Sequence, residues 1–225
     1  MSLGARTSIR IDIPFRRLVQ SLRDDERLVD ALIQLDARAH VDRVLGTNRD
    51  VALMFGDLER FTPLLERLGD SAAAEVVAAY ERIIDRAVRA HAGRCLKSTG
   101  DGFMAVFAEP TSALRGARDI QRALSCDDAG TLLSNDLLPR LRLGVHSGAV
   151  VPVRAANGAP DVVGRNVVLA ARIMDAARGG QTLVSSAVRS IAEPLGEFRF
   201  HRDRNLSLKG FSGRHRVAEL EWCAS

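Results

Sequence analysis

The sequence predicts an α+β fold, an α/β sandwich in which helices pack against one mainly antiparallel sheet. Two observations carry this prediction. Short apolar runs of strand length alternate along the chain with amphipathic stretches of helical periodicity. In addition, two strand-like runs flank the tripeptide Gly-Asp-Gly at 100–102, and such a turn between two strands is typical of a hairpin.

The first 48 residues are predicted to form a helical leader, separate from a domain at 49–225. Leu28, Leu32 and Leu35 recur at helical spacing among charged residues. Two interpretations of this segment stay open. It is either a helix docked on its own domain or a helix that serves dimerisation or signalling.

The first half of the domain is predicted to contain a buried strand, a hairpin and two helices. The run at 51–55 is continuously apolar, as a buried strand is. Asp70 and Ser71 can cap a helix that continues to about residue 91. The hairpin strands are predicted at 94–98 and 102–107, and Pro110 opens a helix that ends near residue 124.

The second half of the domain is predicted to alternate short strands with one helix. After a polar loop at 125–139, strands are expected at 141–147 and 149–153, with Gly148 as the turn between them. A loop at 154–160 then leads to a helix at 166–177, which Gly179 and Gly180 terminate. The remaining strands are predicted at 182–184, 198–201 and 216–221.

Composition argues against several classes of protein. In 225 residues no apolar run approaches the roughly 18–20 that a membrane helix needs, and no secretory signal is visible, so neither a span nor export is expected. Three scattered cysteines without a CxxC pair favour a reducing cytoplasm and argue against structural zinc. Aromatic residues make up 4% and the charges are interleaved, so nucleic acid is not expected as a partner.

The cationic residues are almost all arginine. The chain has 32 Lys and Arg residues, and of these only Lys97 and Lys209 are lysine. An Arg-rich coding bias would explain the imbalance without any function. Alternatively, a compact ammonium on a flexible stem is required at these two positions.

Two carboxylates follow strand-like runs beside glycines. Asp57 comes where the first buried strand ends, and Asp101 lies at the tip of the predicted hairpin. If the two strands are neighbours, both carboxylates meet at one edge of the sheet. Hard oxygen ligands of this kind suit Mg²⁺ or Mn²⁺, although each aspartate could equally serve only its own turn.

Five segments in order resemble the catalytic domain of class III adenylate/guanylate cyclases. They are FGDLERFT at 55–62, KSTGDGF at 97–103, LGVHSG at 143–148, GRNVVLAAR at 164–172 and LKG at 208–210. The resemblance covers about residues 50–221. It implies the ferredoxin-like α/β sandwich of that family and the conversion of ATP to 3′,5′-cyclic AMP and pyrophosphate.

The resemblance also implies a metal site. Asp57 and Asp101 match the aspartates that hold two Mg²⁺ or Mn²⁺ ions per active site, with the backbone of Leu58 beside them. The ions act on the ribose 3′-hydroxyl and on the leaving pyrophosphate. The backbone at Phe61 and Thr62 would contact phosphates, while Thr62 could equally be a helix cap.

Four further positions match residues that bind the nucleotide. Lys97 and Asp161 match the pair that reads adenine, although Asp161 could also be a plain turn residue after Pro160. Arg172 matches the arginine that stabilises the transition-state phosphate, and Lys209 the lysine on the terminal phosphates. In the family each site forms across a head-to-tail dimer, so a homodimer is implied in which Asp57 and Asp101 come from one subunit and Lys97, Asp161 and Arg172 from the other.

One position departs from the family pattern. Val168 stands where an asparagine commonly orients the ribose, one helical turn before Arg172. Asn166 falls on the opposite side of the helix, which leaves Arg165 as the better candidate for a substitute. The departure keeps open a second function, a cyclase-like module that binds ATP and turns it over little. A cyclase for cytidine or guanosine nucleotides is a further alternative.

Overall fold

The structure is a computed structural model that describes residues 50–59, 61–98, 100–125, 139–155 and 157–223. The predicted leader at 1–48 lies outside these residues, as does most of the predicted loop at 125–139. The division of the chain at residue 48 therefore stays a prediction. Among the described helices, none is long and apolar enough to cross a membrane.

Seven of the described strands form one sheet, in the order β2-β3-β1-β4-β7-β9-β8, and two more form a separate hairpin, β5-β6. Neighbouring strands of the large sheet are antiparallel except β4 and β7, which are parallel. The predicted α+β class with a mainly antiparallel sheet is confirmed. The strands are β1 (Asp50–Glu59), β2 (Arg94–Ser98), β3 (Gly102–Phe107), β4 (Arg140–Ala149), β5 (Val151–Arg154), β6 (Pro160–Val163), β7 (Thr182–Ser185), β8 (Arg204–Leu206) and β9 (His215–Glu219).

Helices cover both faces of the sheet. They are α1 (Phe61–Ala90), α2 (Pro110–Ser125), α3 (Arg165–Asp175) and α4 (Ser186–Ala192), followed by a 3₁₀ turn at Glu193–Leu195. Helix α1 is interrupted at Gly69, whose φ of 76° only glycine adopts readily. The helix predicted from Asp70 is therefore the second part of a longer helical segment.

The buried side chains of β1 alternate between two apolar clusters. Ala52 and Met54 point to the larger one, where they meet side chains of α1, α2 and α4, including Ile84, Leu114 and Val188. Val51 and Leu53 point to the other face, where they meet Val162 of the β5-β6 hairpin and Ala170 of α3. Because Asp57 has the same parity as Val51 and Leu53, it lies on the face that carries α3.

Some elements differ from the sequence predictions. Gly148 is not a turn but lies inside β4. A glycine stands there for packing, because a Cβ would come within 2.6 Å of the Asn166 side chain. The strand predicted at 198–201 is reduced to a single bridge between Phe200 and Leu220. Strands β6 and β8 and helix α4 were not predicted, since each is only three to seven residues long and has little periodicity.

Candidate active site

Asp57 and Asp101 lie at the same end of the sheet, because β1 and the hairpin strand β3 are neighbours, which was the condition for the two carboxylates to meet. Asp57 stands opposite Gly102 in the β1-β3 register, and the amide of Leu58 donates to the carbonyl of Asp101 at 2.9 Å. The Asp101 side chain is exposed at the hairpin tip, and that of Asp57 is 23% exposed. The two carboxylates therefore start from adjacent backbone positions and are both accessible.

Sequence reasoning missed a cation beside Asp57. Arg142 of β4 stands opposite Asp57 in the β1-β4 register, and its Nε donates to Asp57 Oδ2 at 2.9 Å while Nη2 donates to the same oxygen. Its Nη1 donates to the carbonyl of Asp175 at 3.3 Å. The signal in the sequence was a charged residue, Arg142, between two leucines inside the predicted strand at 141–147.

This donor set fits a divalent cation. Two carboxylates and the nearby backbone of Leu58 are hard oxygen ligands, and the donors from Arg142 both reach Oδ2 of Asp57. Among the described residues no group of three or more His, Cys, Asp or Glu side chains is arranged so that it could hold an ion. An ion held by Asp57 and Asp101 would therefore need further ligands from a bound molecule such as a phosphate.

Lys97 and Asp161 form an ion pair, although they are 64 positions apart. The distance from Lys97 Nζ to Asp161 Oδ2 is 2.8 Å, with the lysine side chain half exposed and the aspartate side chain 11% exposed. The amide of Val162 donates to Asp161 Oδ1 at 2.8 Å and fixes the carboxylate. Asp161 lies in strand β6 rather than in a turn, so the turn interpretation is wrong.

Arg172 lies in the last turn of α3, on the same face of the sheet as Asp57. Its Nη1 is 2.6 Å from Asp175 Oδ2, and its Nε is buried without a hydrogen-bond partner in the described part of the chain. Because Arg142 bonds the carbonyl of the same Asp175, contacts run from Asp57 through Arg142 and Asp175 to Arg172. The side chain of Arg172 is 37% exposed and is therefore accessible from solvent.

Val168 is 49% exposed, and its neighbours Arg165 and Asn166 both make other contacts within the chain. The guanidinium of Arg165 lies 5.1 Å from the centre of the Phe211 ring. Asn166 faces the sheet, where its Oδ1 is 3.1 Å from His146 Nε2 and its Nδ2 donates to the carbonyl of Ala149. Within one chain Arg165 therefore contacts Phe211, and its use as a substitute for the missing asparagine stays a prediction.

Comparison with known proteins identifies the family of the chain. Residues 45–220 match the family model of the adenylate and guanylate cyclase catalytic domain. The chain belongs to this family. The class III cyclase resemblance predicted from the five segments is confirmed, and the chain contains a nucleotide cyclase catalytic domain.

Individual relatives of this cyclase domain are distant. An uncharacterized protein of Mycobacterium tuberculosis is 30% identical over 187 residues, which is 82% of this chain and 45% of that protein. An adenylate cyclase of Lachancea kluyveri is 32% identical over 171 residues, or 68% of this chain and 9% of that enzyme. The chain thus spans less than half the length of these curated relatives.

Solved cyclase structures share the fold. The adenylyl cyclase CyaB of P. aeruginosa has a TM-score of 0.66 at 21% identity, covering 76% of this chain and 93% of that one. The guanylate cyclase domain from Catenaria anguillulae, solved in complex with GTP, has a TM-score of 0.67 at 18% identity, covering 77% and 96%. These likenesses confirm the cyclase-type sandwich.

The remaining predicted residues of the cyclase site lie near its edges. Phe61 begins α1 and packs against the larger apolar cluster, and Thr62 lies in the first turn, where backbone amides lack helical partners. Leu58 is buried. Lys209 is exposed in a turn after Leu208, which packs against Ile173 of α3. The contacts described within one chain do not bring Lys209 to Asp57.

Proposed function

We propose that this cyclase domain is an adenylate cyclase that forms cyclic AMP and pyrophosphate from ATP. The observation that carries the proposal is the Lys97–Asp161 ion pair of 2.8 Å. It joins, on the face of the sheet that carries α3, the two residues that the sequence predicted to read the base.

The chemistry of this pair matches adenine. The base-pairing edge of adenine presents an amino donor beside a ring-nitrogen acceptor. The Asp161 carboxylate accepts from the first and the Lys97 ammonium donates to the second. Guanine presents the opposite order at this edge, so the same pair disfavours GTP. Cytosine has the order of adenine and differs in ring size.

We further propose that two copies of the chain form head-to-tail sites. Val151, Val153 and Val163 of the β5-β6 hairpin are 57%, 36% and 43% exposed. Val151 and Val153 are two positions apart on β5, and they pair with Val163 and Asp161 of β6. All four side chains therefore lie on the same face of the hairpin. A second copy that covers this apolar face would bring its Asp57 and Asp101 towards Lys97, Asp161 and Arg172 of the first.

Each side chain then has a definite task. Two divalent ions, when bound to Asp57 and Asp101, supply Lewis-acid activation of the 3′-hydroxyl and charge neutralisation on the phosphates. Arg172 presents a planar fork of donors to the phosphate at which charge develops, for which it must leave Asp175. Lys209 offers a point charge to the terminal phosphates.

The free thiols of Cys95 and Cys223 suit a reducing compartment, and we propose the cytoplasm.

Competition among ATP, GTP, CTP and UTP in the presence of Mn²⁺ tests the base assignment. We expect ATP to be preferred and Lys97→Arg to lower kcat/KM for ATP about tenfold or more, because the bulkier guanidinium cannot keep the geometry of the pair with Asp161. The matched control is Arg216→Lys, the reverse exchange at an exposed strand position, which should change kcat/KM less than twofold. A preference for GTP, or a silent Lys97→Arg variant, would contradict the assignment, and a preference for CTP would favour the cytidine alternative.

Val168 supports the second candidate function, an ATP-binding module with little turnover. If the missing donor limits catalysis, Val168→Asn should raise kcat about tenfold to a hundredfold with little change in nucleotide affinity. Product formation is measured with Mn²⁺ and affinity with 3′-deoxy-ATP, which lacks the attacking hydroxyl. Binding without product in both proteins would establish the binding module and refute the enzyme.

A further inference from the structure

The segment LGVHSG at 143–148 has no role in the site described so far, although it is one of the five family-like segments. Alternate residues of β4 share one face of the sheet, and Gly144, His146 and Gly148 therefore point the same way. All three meet helix α3. This face of β4 is the surface on which the helix that carries Arg172 rests, and we refer to it as the α3 seat.

The two glycines set the distance between strand and helix. A Cβ at Gly144 would lie 2.3 Å from the backbone nitrogen of Met174, and one at Gly148 would lie 2.6 Å from Nδ2 of Asn166. The four residue steps from 144 to 148 span about 13 Å of strand, and the eight steps from 166 to 174 span about 12 Å of helix. The helix therefore lies along the strand in close contact at both ends of the α3 seat.

His146 lies between the glycines and bonds the helix from the sheet side. Asn166 Nδ2 donates to the carbonyl of Ala149 at 2.8 Å, so its Oδ1 is the acceptor that faces His146. Nε2 of His146 must consequently carry the proton and donate at 3.1 Å. Nδ1 is then an acceptor and takes the hydroxyl proton of Ser185 at 2.9 Å.

The chain of donors continues into the next helix. Ser185 Oγ, which donates to His146, also accepts from the amide of Val188 at the start of α4. With the neutral imidazole every bond in the series has one donor and one acceptor. A second proton on His146 would make Nδ1 a donor to Ser185 Oγ, and the Ser185 hydroxyl would then lose the acceptor for its own proton.

We infer that His146 is a positioning residue. In its neutral form it fixes α3 against the α3 seat of β4, and it thereby orients Arg172 and residue 168 towards the nucleotide. The role rests on the proposed function, because Arg172 is the residue whose placement is at issue. His146 itself touches no substrate. It acts through Asn166, six residues before Arg172 on the same helix.

Burial supports the neutral form. It lowers the pKa of His146 from the ordinary value of 6.5, an effect that the Asn166 bond opposes and nearby His215 reinforces. Ser185 of β7 and Asn166 of α3 bond the ring, and His215 of β9 is the ionisable group that acts on it electrostatically. Below pH 6.5 the unfolded chain takes up a proton that folded His146 excludes, so the free energy of unfolding falls as the pH falls through this region.

Three variants separate positioning from mere packing. His146→Gln keeps a neutral donor and acceptor, so we expect kcat within about twofold of wild type at pH 8 and a flatter loss of activity and melting temperature between pH 7.5 and 5.5. His146→Leu and Asn166→Ala break the series and should lower kcat about tenfold to a hundredfold with a smaller change in KM. His201→Gln, at an exposed histidine, is the control and should keep the wild-type pH dependence.

Hydrogen exchange makes the inference independent of catalysis. In His146→Leu, or in Asn166→Ala if the first does not fold, amides of α3 should exchange about tenfold faster while those of β1 and β3 keep their rates. Exchange that accelerates equally throughout, or an α3 that does not change, would overturn the inference. If His215→Gln flattens the loss of activity and melting temperature between pH 7.5 and 5.5 and His146→Gln does not, the pH dependence assigned to His146 is wrong. If wild type forms no cyclic nucleotide, the proposed function fails and the exchange result still decides the role of His146.

Discussion

Replacing Asp57 by asparagine is expected to reduce cyclic-nucleotide formation by about three orders of magnitude while the fold is retained. The amide has the shape of the carboxylate but not its charge, so the divalent ions lose a principal ligand and the phosphates lose their neutralising partners. Arg142 keeps its bond to the carbonyl of Asp175, so the expected loss of unfolding free energy is only about 1 kcal/mol.

This prediction is checked by initial rates with Mn²⁺ and by thermal melting of the same preparations. Asp203→Asn is the matched control, since Asp203 is also a partly exposed aspartate paired with arginines, Arg189 and Arg216, away from the proposed site. It should keep full activity. Turnover by Asp57→Asn above about a tenth of wild type would mean that Asp57 is not a metal ligand.

Mixing two inactive variants should restore activity if the sites are shared between subunits. Asp57→Ala and Arg172→Ala each remove one half of every site in a homodimer. A heterodimer of the two places both defects in one site and leaves the other intact. With random exchange half of the dimers are of this kind, so about a quarter of wild-type activity is expected.

The control mixture is Asp57→Ala with Asp101→Ala. Both aspartates come from the same subunit in the proposed arrangement, so each site of that heterodimer lacks one carboxylate and no recovery is expected. Recovery in this control, or none in the first mixture once subunit exchange is verified, would contradict the shared site. Sedimentation of the wild type at increasing concentration provides the independent measure of dimer formation.

The Arg142 contact changes how the metal site is understood. A guanidinium on Oδ2 of Asp57 offsets the repulsion between two neighbouring carboxylates before any ion is bound. The same residue bonds the end of α3, whose Asp175 holds Arg172. In the proposed dimer Asp57 and Arg172 of one subunit serve different sites, so Arg142 lies between the two.

Local sequence pattern determined much of this domain. The hairpin strands at 94–98 and 102–107 and the helix opened by Pro110 have the predicted bounds to within one residue. They are set by short-range effects: an Asp-Gly turn, an apolar stripe and a helix-opening proline. The adjacency of Asp57 and Asp101 was expected only if their strands are neighbours, and the β1-β3 pairing meets that condition.

Tertiary structure alone decided the rest. The sequence left Asp161 in doubt as a turn residue, whereas pairing with Val153 makes it part of a strand, buries it and brings it to Lys97. Gly148 suggested a turn but serves to admit Asn166. Arg142 showed its role only through the β1-β4 register. The residues that Asp161, Gly148 and Arg142 contact in the site, namely Lys97, Asn166 and Asp57, lie 18 or more positions away in the sequence. Such contacts depend on strand register and helix placement, which local periodicity does not contain.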